Sequence, residues 1–351
     1  MKKLLAVIFV MVFAVSMASA KDIKAGFVYV GPVGDAGWTY AHDEGRKVME
    51  ELPYVTKTTF IESVPEGADS TRIITSLAKK GYNLIFTTSF GYMDPTIEVA
   101  KRNKDIVFMH CSGYKTAENV GTYFGRMYQP RYLSGIIAGK MTESDTIGYV
   151  AAFPIPEVIR GINAFTLGVR SVNPDAKVKV VWTHTWFDPG KEREAAESAL
   201  DAGADVITMH QDTPAPLQAA EKRGAYAIGY NSDMSKFAPK AFLTAPVWNW
   251  EAVYTQIAEE VHNGNWESRQ IWWGLDKKLV DLAPINDAVP AEVKDMVMEQ
   301  YEALASGRTD VFTGPIKDQS GKVVVPSGKT MTDGEMLSMD FFVEGVQGSA
   351  K

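Results

Sequence analysis

The chain has 351 residues, 46% hydrophobic and 23% charged, with 43 acidic against 36 basic side chains and a formal charge of −7. This length exceeds what one compact core usually holds, so two lobes are expected from an otherwise ordinary globular composition. The acidic balance and the lack of a basic patch argue against nucleic-acid or anionic-membrane partners, and the single cysteine, Cys111, leaves no intramolecular disulfide.

Residues 1–20 read as a secretory signal, with Lys2 and Lys3, an apolar run from Leu4, and Ala18-Ser19-Ala20 as a small-residue cleavage site. The mature protein is expected to begin at Lys21, two charges more negative for the loss of Lys2 and Lys3. No cysteine stands at the cleavage point, so no lipid anchor is expected. No later stretch stays apolar for the roughly 18 residues that span a bilayer. The expected location is free in the periplasm of a Gram-negative bacterium.

Next comes a strand pattern over Ile23 to Val30, then Gly31-Pro32-Val33-Gly34-Asp35-Ala36-Gly37-Trp38-Thr39-Tyr40, then a helical pattern from Ala41 to Leu52. In an open α/β sheet such a loop lies at the carboxyl ends of the strands, where ligands bind and helix N-termini offer backbone N–H groups. Trp38 supplies a flat apolar face there; the alternative is that it is the first core residue of its helix. The glycine spacing is not G-x-G-x-x-G, so dinucleotide binding gains little.

Strand and helix patterns then alternate. Strands are expected over Thr56–Glu62, Leu84–Thr88, Asp105–His110, Gly121–Phe124, Thr146–Ala151, Val178–Trp182, Val206–Met209, Ala225–Gly229 and Ala241–Val247. Helices are expected over Ala68–Lys80, Asp94–Arg102, Gln129–Met141, Ile155–Val172, Lys191–Ala202, Pro214–Arg223 and Asn249–Asn263. This alternation predicts parallel sheets. Gly81 and Gly203 each close a helix ahead of a strand, at joints that look equivalent in two similar halves. Chain crossings are expected near Phe124-Gly125-Arg126, Pro246 and Trp266 to Ile271. They divide the chain into residues 21–124 with 246–270 and residues 125–245 with 271–351. Gly314 to Thr332 reads as a hairpin or extended segment turning at Gln319 to Lys322.

No G-x-S-x-G, H-E-x-x-H or G-x-x-x-x-G-K-[ST] occurs, and the five histidines show no metal spacing. No cofactor or metal is expected. His110 and His210 end strands and face either the cleft or a structural partner. A second aromatic loop, Trp186-Phe187-Asp188-Pro189-Gly190-Lys191, has Asp188 as N-cap and Pro189 at the first helical position. It is read as the second-half counterpart of the Gly31 to Tyr40 loop, so that the two tryptophans sandwich a flat ring; the alternative for Trp186 is lobe packing. A third strand end, Thr87 to Pro95, adds Ser89, Phe90 and Asp94, the last more simply a helix cap.

These motifs, with Ile228-Gly229-Tyr230-Asn231-Ser232-Asp233-Met234, resemble the basic membrane protein family, the PnrA-like substrate-binding proteins of ABC importers, over nearly the whole mature chain. The resemblance implies a type I periplasmic-binding-protein fold, two doubly wound parallel-sheet lobes joined by a multi-crossover hinge. It also implies a purine nucleoside stacked between two aromatics at the positions of Trp38 and Trp186, a membrane permease partner and a monomer. Two departures weaken a ribose subsite. Asn231 stands where nucleoside binders carry an aspartate, two residues before the family position matched by Asp233. Thr244-Ala245-Pro246-Val247-Trp248 lacks their lysine, and Trp248 is expected to fill ribose space. The expected ligand is therefore a free purine base such as adenine, with Asp35, Thr39, Ser89, Asp94 and Asp212 as partners for the ring edge. A purine nucleoside receptor and a secreted nucleosidase are the alternatives.

Overall fold

The computed structural model describes residues 20–350, so the expected signal, apart from Ala20, lies outside the described residues. Five strands, β1 (Ile23–Val28), β2 (Val55–Ile61), β3 (Leu84–Thr87), β4 (Val107–Cys111) and β5 (Val120–Gly125), alternate with helices α1 (Trp38–Glu50), α2 (Ala68–Lys79) and α3 (Met93–Ala100). After α4 (Tyr128–Met141) the pattern repeats with β6 (Thr146–Ala151), α5 (Pro156–Val172), β7 (Lys177–Trp182), α6 (Pro189–Asp201), β8 (Val206–His210), α7 (Ala215–Lys222), β9 (Tyr226–Ile228) and β10 (Phe242–Thr244). The remainder comprises β11 (Pro246–Trp248), α8 (Glu251–Asn263), β12 (Gln270–Trp273), β13 (Val280–Leu282), α9 (Ala291–Ala305), β14 (Ile316–Lys317), β15 (Val323–Val325), α10 (Asp333–Leu337) and β16 (Val346–Gln347).

Two parallel six-stranded sheets result, in the orders β2-β1-β3-β4-β5-β12 and β16-β7-β6-β8-β9-β10. Strands β3, β5 and β8 are buried along their whole length. Apolar runs of this kind need helices on both faces, which the crossovers supply. Gly81 and Gly203 have φ of +80° and +94°, left-handed backbone that ends α2 and α6 and turns the chain into the next strand. Stripped of β12 and β16, the two orders are the same, strand for strand. This is the type I periplasmic-binding-protein architecture.

The chain passes between lobes after β5, between β10 and β11, and after β12. The strand expected over Ala241–Val247 divides at Ala245: β10 closes the second sheet, while β11 pairs antiparallel with β13 in the crossing ribbon. Pro246 has no N–H with which to extend the first ladder. Strand β12 pairs in parallel with Thr122 to Gly125 of β5 and buries Ile271 there, so the sequence-based division at 270 cuts through a strand of the first sheet. The tail forms the β14–β15 hairpin, with Gly321 in its turn, and ends with β16, which pairs with β7 and forms the edge of the second sheet.

Candidate ligand-binding site

In each sheet the strand order reverses at one point, between β1 and β3 and between β6 and β8. Crevices outside the carboxyl ends of strands at such a point are where α/β folds take ligands. Both points open onto one cavity between the lobes. The first lobe supplies Val30, Trp38, Thr88, Ser89, Phe90 and Ser112, and the second Ile155, Glu157, Trp186, His210, Asp212 and Tyr230.

Trp38 and Trp186 thus reach the same cavity from opposite lobes. The Trp38 indole Nε1 donates to the Thr88 carbonyl at 2.7 Å, which fixes the ring. It stands perpendicular to His42, Trp250 and Trp248 at centroid distances of 4.4, 5.5 and 5.7 Å. Those three rings are themselves stacked, Trp248 on Trp250 at 4.4 Å and Trp250 on His42 at 4.3 Å. Trp186 leans on Phe153 at 5.1 Å and His210 at 6.2 Å. Its loop is held by Asp188, which accepts from the Gly190 and Lys191 amides at 3.1 Å each. The strand before this loop, β7, corresponds to β2 of the first lobe. The counterpart of the Gly31 to Tyr40 loop is therefore the segment between β6 and α5, which carries Ile155 and leads into Glu157 in the first turn of α5. The sequence-based pairing of the two tryptophan loops is corrected accordingly: strand order, which decides equivalence, is not written in the local pattern.

Of the other expected contacts, Ser89, Phe90 and Asp212 line the cavity. Ser89 Oγ donates to Glu66 Oε1 at 2.5 Å, and Phe90 is 42% exposed at the cavity rim. Asp35 does not line the cavity. Its buried carboxylate accepts from the amides of Gly37, Thr39 and Tyr40 at 2.7 to 2.9 Å and so takes up N–H groups at the start of α1. Thr39 is buried and accepts from the Gly31 amide at 3.2 Å. His110 lies beneath the β3 loop, its Nε2 2.8 Å from the Ser89 carbonyl. Asp94 is exposed and pairs with Lys115 at 2.5 Å, away from the cavity. Asp233 is exposed at the cleft edge and accepts from the Ser235 amide.

Asn231 and Trp248 also lie behind the wall. The Asn231 amide donates to Asp212 Oδ1 at 3.1 Å and to the Gln211 carbonyl at 3.3 Å, while its oxygen accepts from Trp248 Nε1 at 3.1 Å. Asn231 has φ of +72°, a conformation asparagine tolerates well. Trp248 does not bound the cavity; it packs against Trp38, Phe124 and Trp250.

Glu157 and Tyr230 line the cavity without having been singled out from the sequence. Glu157 sits in the first turn of α5, with Oε1 3.6 Å from His210 Nε2. Pro156 at the head of that helix was the available signal. Tyr230 is backed by the Arg131 guanidinium, 3.8 Å from its ring centroid. Burial, reinforced by the negative charges of Asp35 and Glu192, pushes the Asp212 carboxyl well up from its usual range. Burial also raises Asp35 to about 6, against the backbone amides that lower it, and depresses His210 to about 4. Among the described residues no three His, Cys, Asp or Glu side chains form a metal-binding group, and no helix is long and apolar enough to cross a membrane.

The lobes touch beside the cavity. Ser232 Oγ donates to the Ala36 carbonyl at 2.5 Å, and a Cβ on Gly37 would fall 2.3 Å from the Asp212 carbonyl oxygen.

A family model described as "ABC transporter substrate-binding protein PnrA-like" matches residues 22–307. The chain is 48% identical over 327 residues to a purine-binding protein of Brucella abortus, covering 93% of each chain. It is 41% identical over 331 residues to a putative ABC transporter glucose-binding protein of Haloferax volcanii, covering 94% of this chain and 82% of that one. Among solved structures, a transcriptional activator of the comK gene from Bacillus halodurans superimposes with a TM-score of 0.72 at 22% identity, over 82% of this chain and 99% of that one. A solute-binding protein of an Aeropyrum pernix ABC transporter system gives 0.72 at 19%, over 84% and 93%.

Proposed function

Because the chain belongs to the PnrA-like family of ABC transporter substrate-binding proteins, which carry small molecules to a membrane permease and are not enzymes, we propose that its cargo is a purine base of the adenine type. The observation that carries this reading is that Trp38 and Trp186 bound one interlobe cavity from opposite lobes. Aromatic faces select flat heteroaromatic rings, at about 1 to 3 kcal/mol per stacked base. Around them stand polar side chains that can read the edge of a ring. Glu157 accepts hydrogen bonds, and Asp212, held toward its protonated form, donates as well as accepts, which suits the alternating N–H groups and ring nitrogens of a purine edge.

One further feature favours the base over its nucleoside. The Asn231 amide group and oxygen are both engaged within the protein, so neither is offered to ribose hydroxyls. The purine-binding relative from Brucella supports the ligand class, while the Haloferax relative makes glucose the competitor to test. We further propose that the mature protein starts at Lys21 and works as a periplasmic monomer. Recovery in osmotic-shock fluid, cut after Ala20, is expected; recovery only with detergent-solubilised membranes would contradict it.

The test of the cargo is mass spectrometry of the small molecule released when freshly purified protein is denatured. A free purine base is expected. Glucose or an intact nucleoside in its place would overturn the reading.

A further inference from the structure

Behind the Tyr230 wall, three polar atoms from three elements converge on the open side of one glycine. Gly161 lies in the second turn of α5. A methyl placed on it would have as its three nearest neighbours Tyr149 Oη at 3.6 Å, Arg131 Nε at 3.8 Å and His210 Nδ1 at 3.8 Å. Each of these atoms is buried and has no hydrogen-bond partner among the described residues. Arg131 and Tyr149 are 0% exposed and His210 5%, so bulk water does not serve them. Buried polar groups are nearly always paired, and three unpaired ones within 4 Å of a single point mark a site for a small polar guest.

The donor and acceptor pattern identifies the guest. His210 Nε2 stands 3.6 Å from Glu157 Oε1, too far for a direct hydrogen bond, but the carboxylate beside it favours the tautomer with the proton on Nε2 and a lone pair on Nδ1. Arg131 Nε only donates, and the Tyr149 hydroxyl does either. A guest that accepts from Arg131, donates to His210 and exchanges with Tyr149 is a water molecule. An anion would meet the Nδ1 lone pair.

We propose that Gly161 keeps open a one-water site, held by Arg131 and Tyr149, that fixes His210 as an Nε2–H donor toward Glu157 and thereby sets Glu157 as a hydrogen-bond acceptor on the cavity wall. This rests on the cavity being the ligand site. Gly161 is then a positioning residue that touches no ligand. Burial of His210, which keeps its imidazole neutral near neutral pH, is consistent with one fixed tautomer.

Gly161→Ala separates this role from plain packing. The methyl meets only ordinary van der Waals distances, and alanine is the better helix former, so packing and propensity alone predict a higher Tm. If the methyl takes the place of a water, Tm falls, and affinity for adenine falls about tenfold. The decisive readout is 15N NMR of ligand-free protein labelled at histidine. The parent is expected to show a protonated Nε2 and a hydrogen-bonded, unprotonated Nδ1 at His210. In Gly161→Ala, and in the volume-preserving Tyr149→Phe, the Nδ1 resonance is expected to lose its hydrogen-bond shift. A higher Tm in Gly161→Ala with an unchanged His210 spectrum, or a protonated Nδ1 in the parent, would overturn the proposal. Should Gly161→Ala fail to fold, an unchanged His210 spectrum in Tyr149→Phe would overturn it alone. These spectra need no ligand, so their failure is distinct from finding a cargo other than a purine.

Discussion

Trp38 and Trp186 serve the cavity alike, but their surroundings separate what their loss should do. Trp186→Ala is expected to cost about 1 to 3 kcal/mol of purine binding while nearly sparing the ligand-free Tm, since its ring is only partly buried and leans mainly on Phe153 and His210. Trp38→Ala should lose a similar amount of binding and also lower the ligand-free Tm, because the ring packs across Trp248, Trp250 and His42. Calorimetry with adenine and a thermal melt of each variant check both statements; full affinity in both variants would remove the two-tryptophan site. Both residues were legible in the sequence because a tryptophan just past a strand end stands out. Asp35 and Thr39 were legible as polar residues near the site, but which way a side chain turns is a matter of tertiary geometry. Theirs turn to the backbone of their own loop.

At the scale of elements, alternating strands and helices and the glycine stops at Gly81 and Gly203 were readable, since each follows from local periodicity and backbone freedom. The order of strands within a sheet was not, and so the counterpart of the first ligand loop was placed after β7 when it follows β6. The β3 loop illustrates how elements support the site: His110, from β4, holds the Ser89 carbonyl from below. Burial depresses the His110 pKa from 6.5 to about 4. The folded protein therefore keeps this ring neutral where the unfolded chain protonates it, so its contribution to stability is complete above pH 6.5 and is lost as pH falls toward about 4. His110→Gln retains a donor for Ser89 but does not titrate. Its denaturation free energy should decline less steeply than that of the parent between these pH values; parallel profiles would contradict the assignment.

For the whole molecule, the cavity is completed only where two half-sites meet, and Gly37 lies at that meeting of the lobes. A Cβ there would collide with the Asp212 backbone, which cannot swing aside as a side-chain tip can. Gly37→Ala should leave both lobes folded, with a ligand-free Tm near that of the parent, yet abolish the compaction that ligand induces in small-angle X-ray scattering; normal compaction would show that the lobes meet elsewhere. The two-lobe plan was legible from length and alternation. The closeness of this approach was not, because it depends on residues 175 positions apart in the chain. Calorimetric titration of ligand-stripped protein with adenine, adenosine, guanine, guanosine and glucose in one buffer tests the central claim most directly. Each ribose hydroxyl brought into the closed cleft without a partner costs about 1 to 3 kcal/mol, and two together amount to roughly a hundredfold in affinity. The account predicts that a purine base binds at least as tightly as its nucleoside and that glucose does not compete. Nucleosides binding about tenfold more tightly than their bases, or glucose binding in preference to any purine, would contradict it.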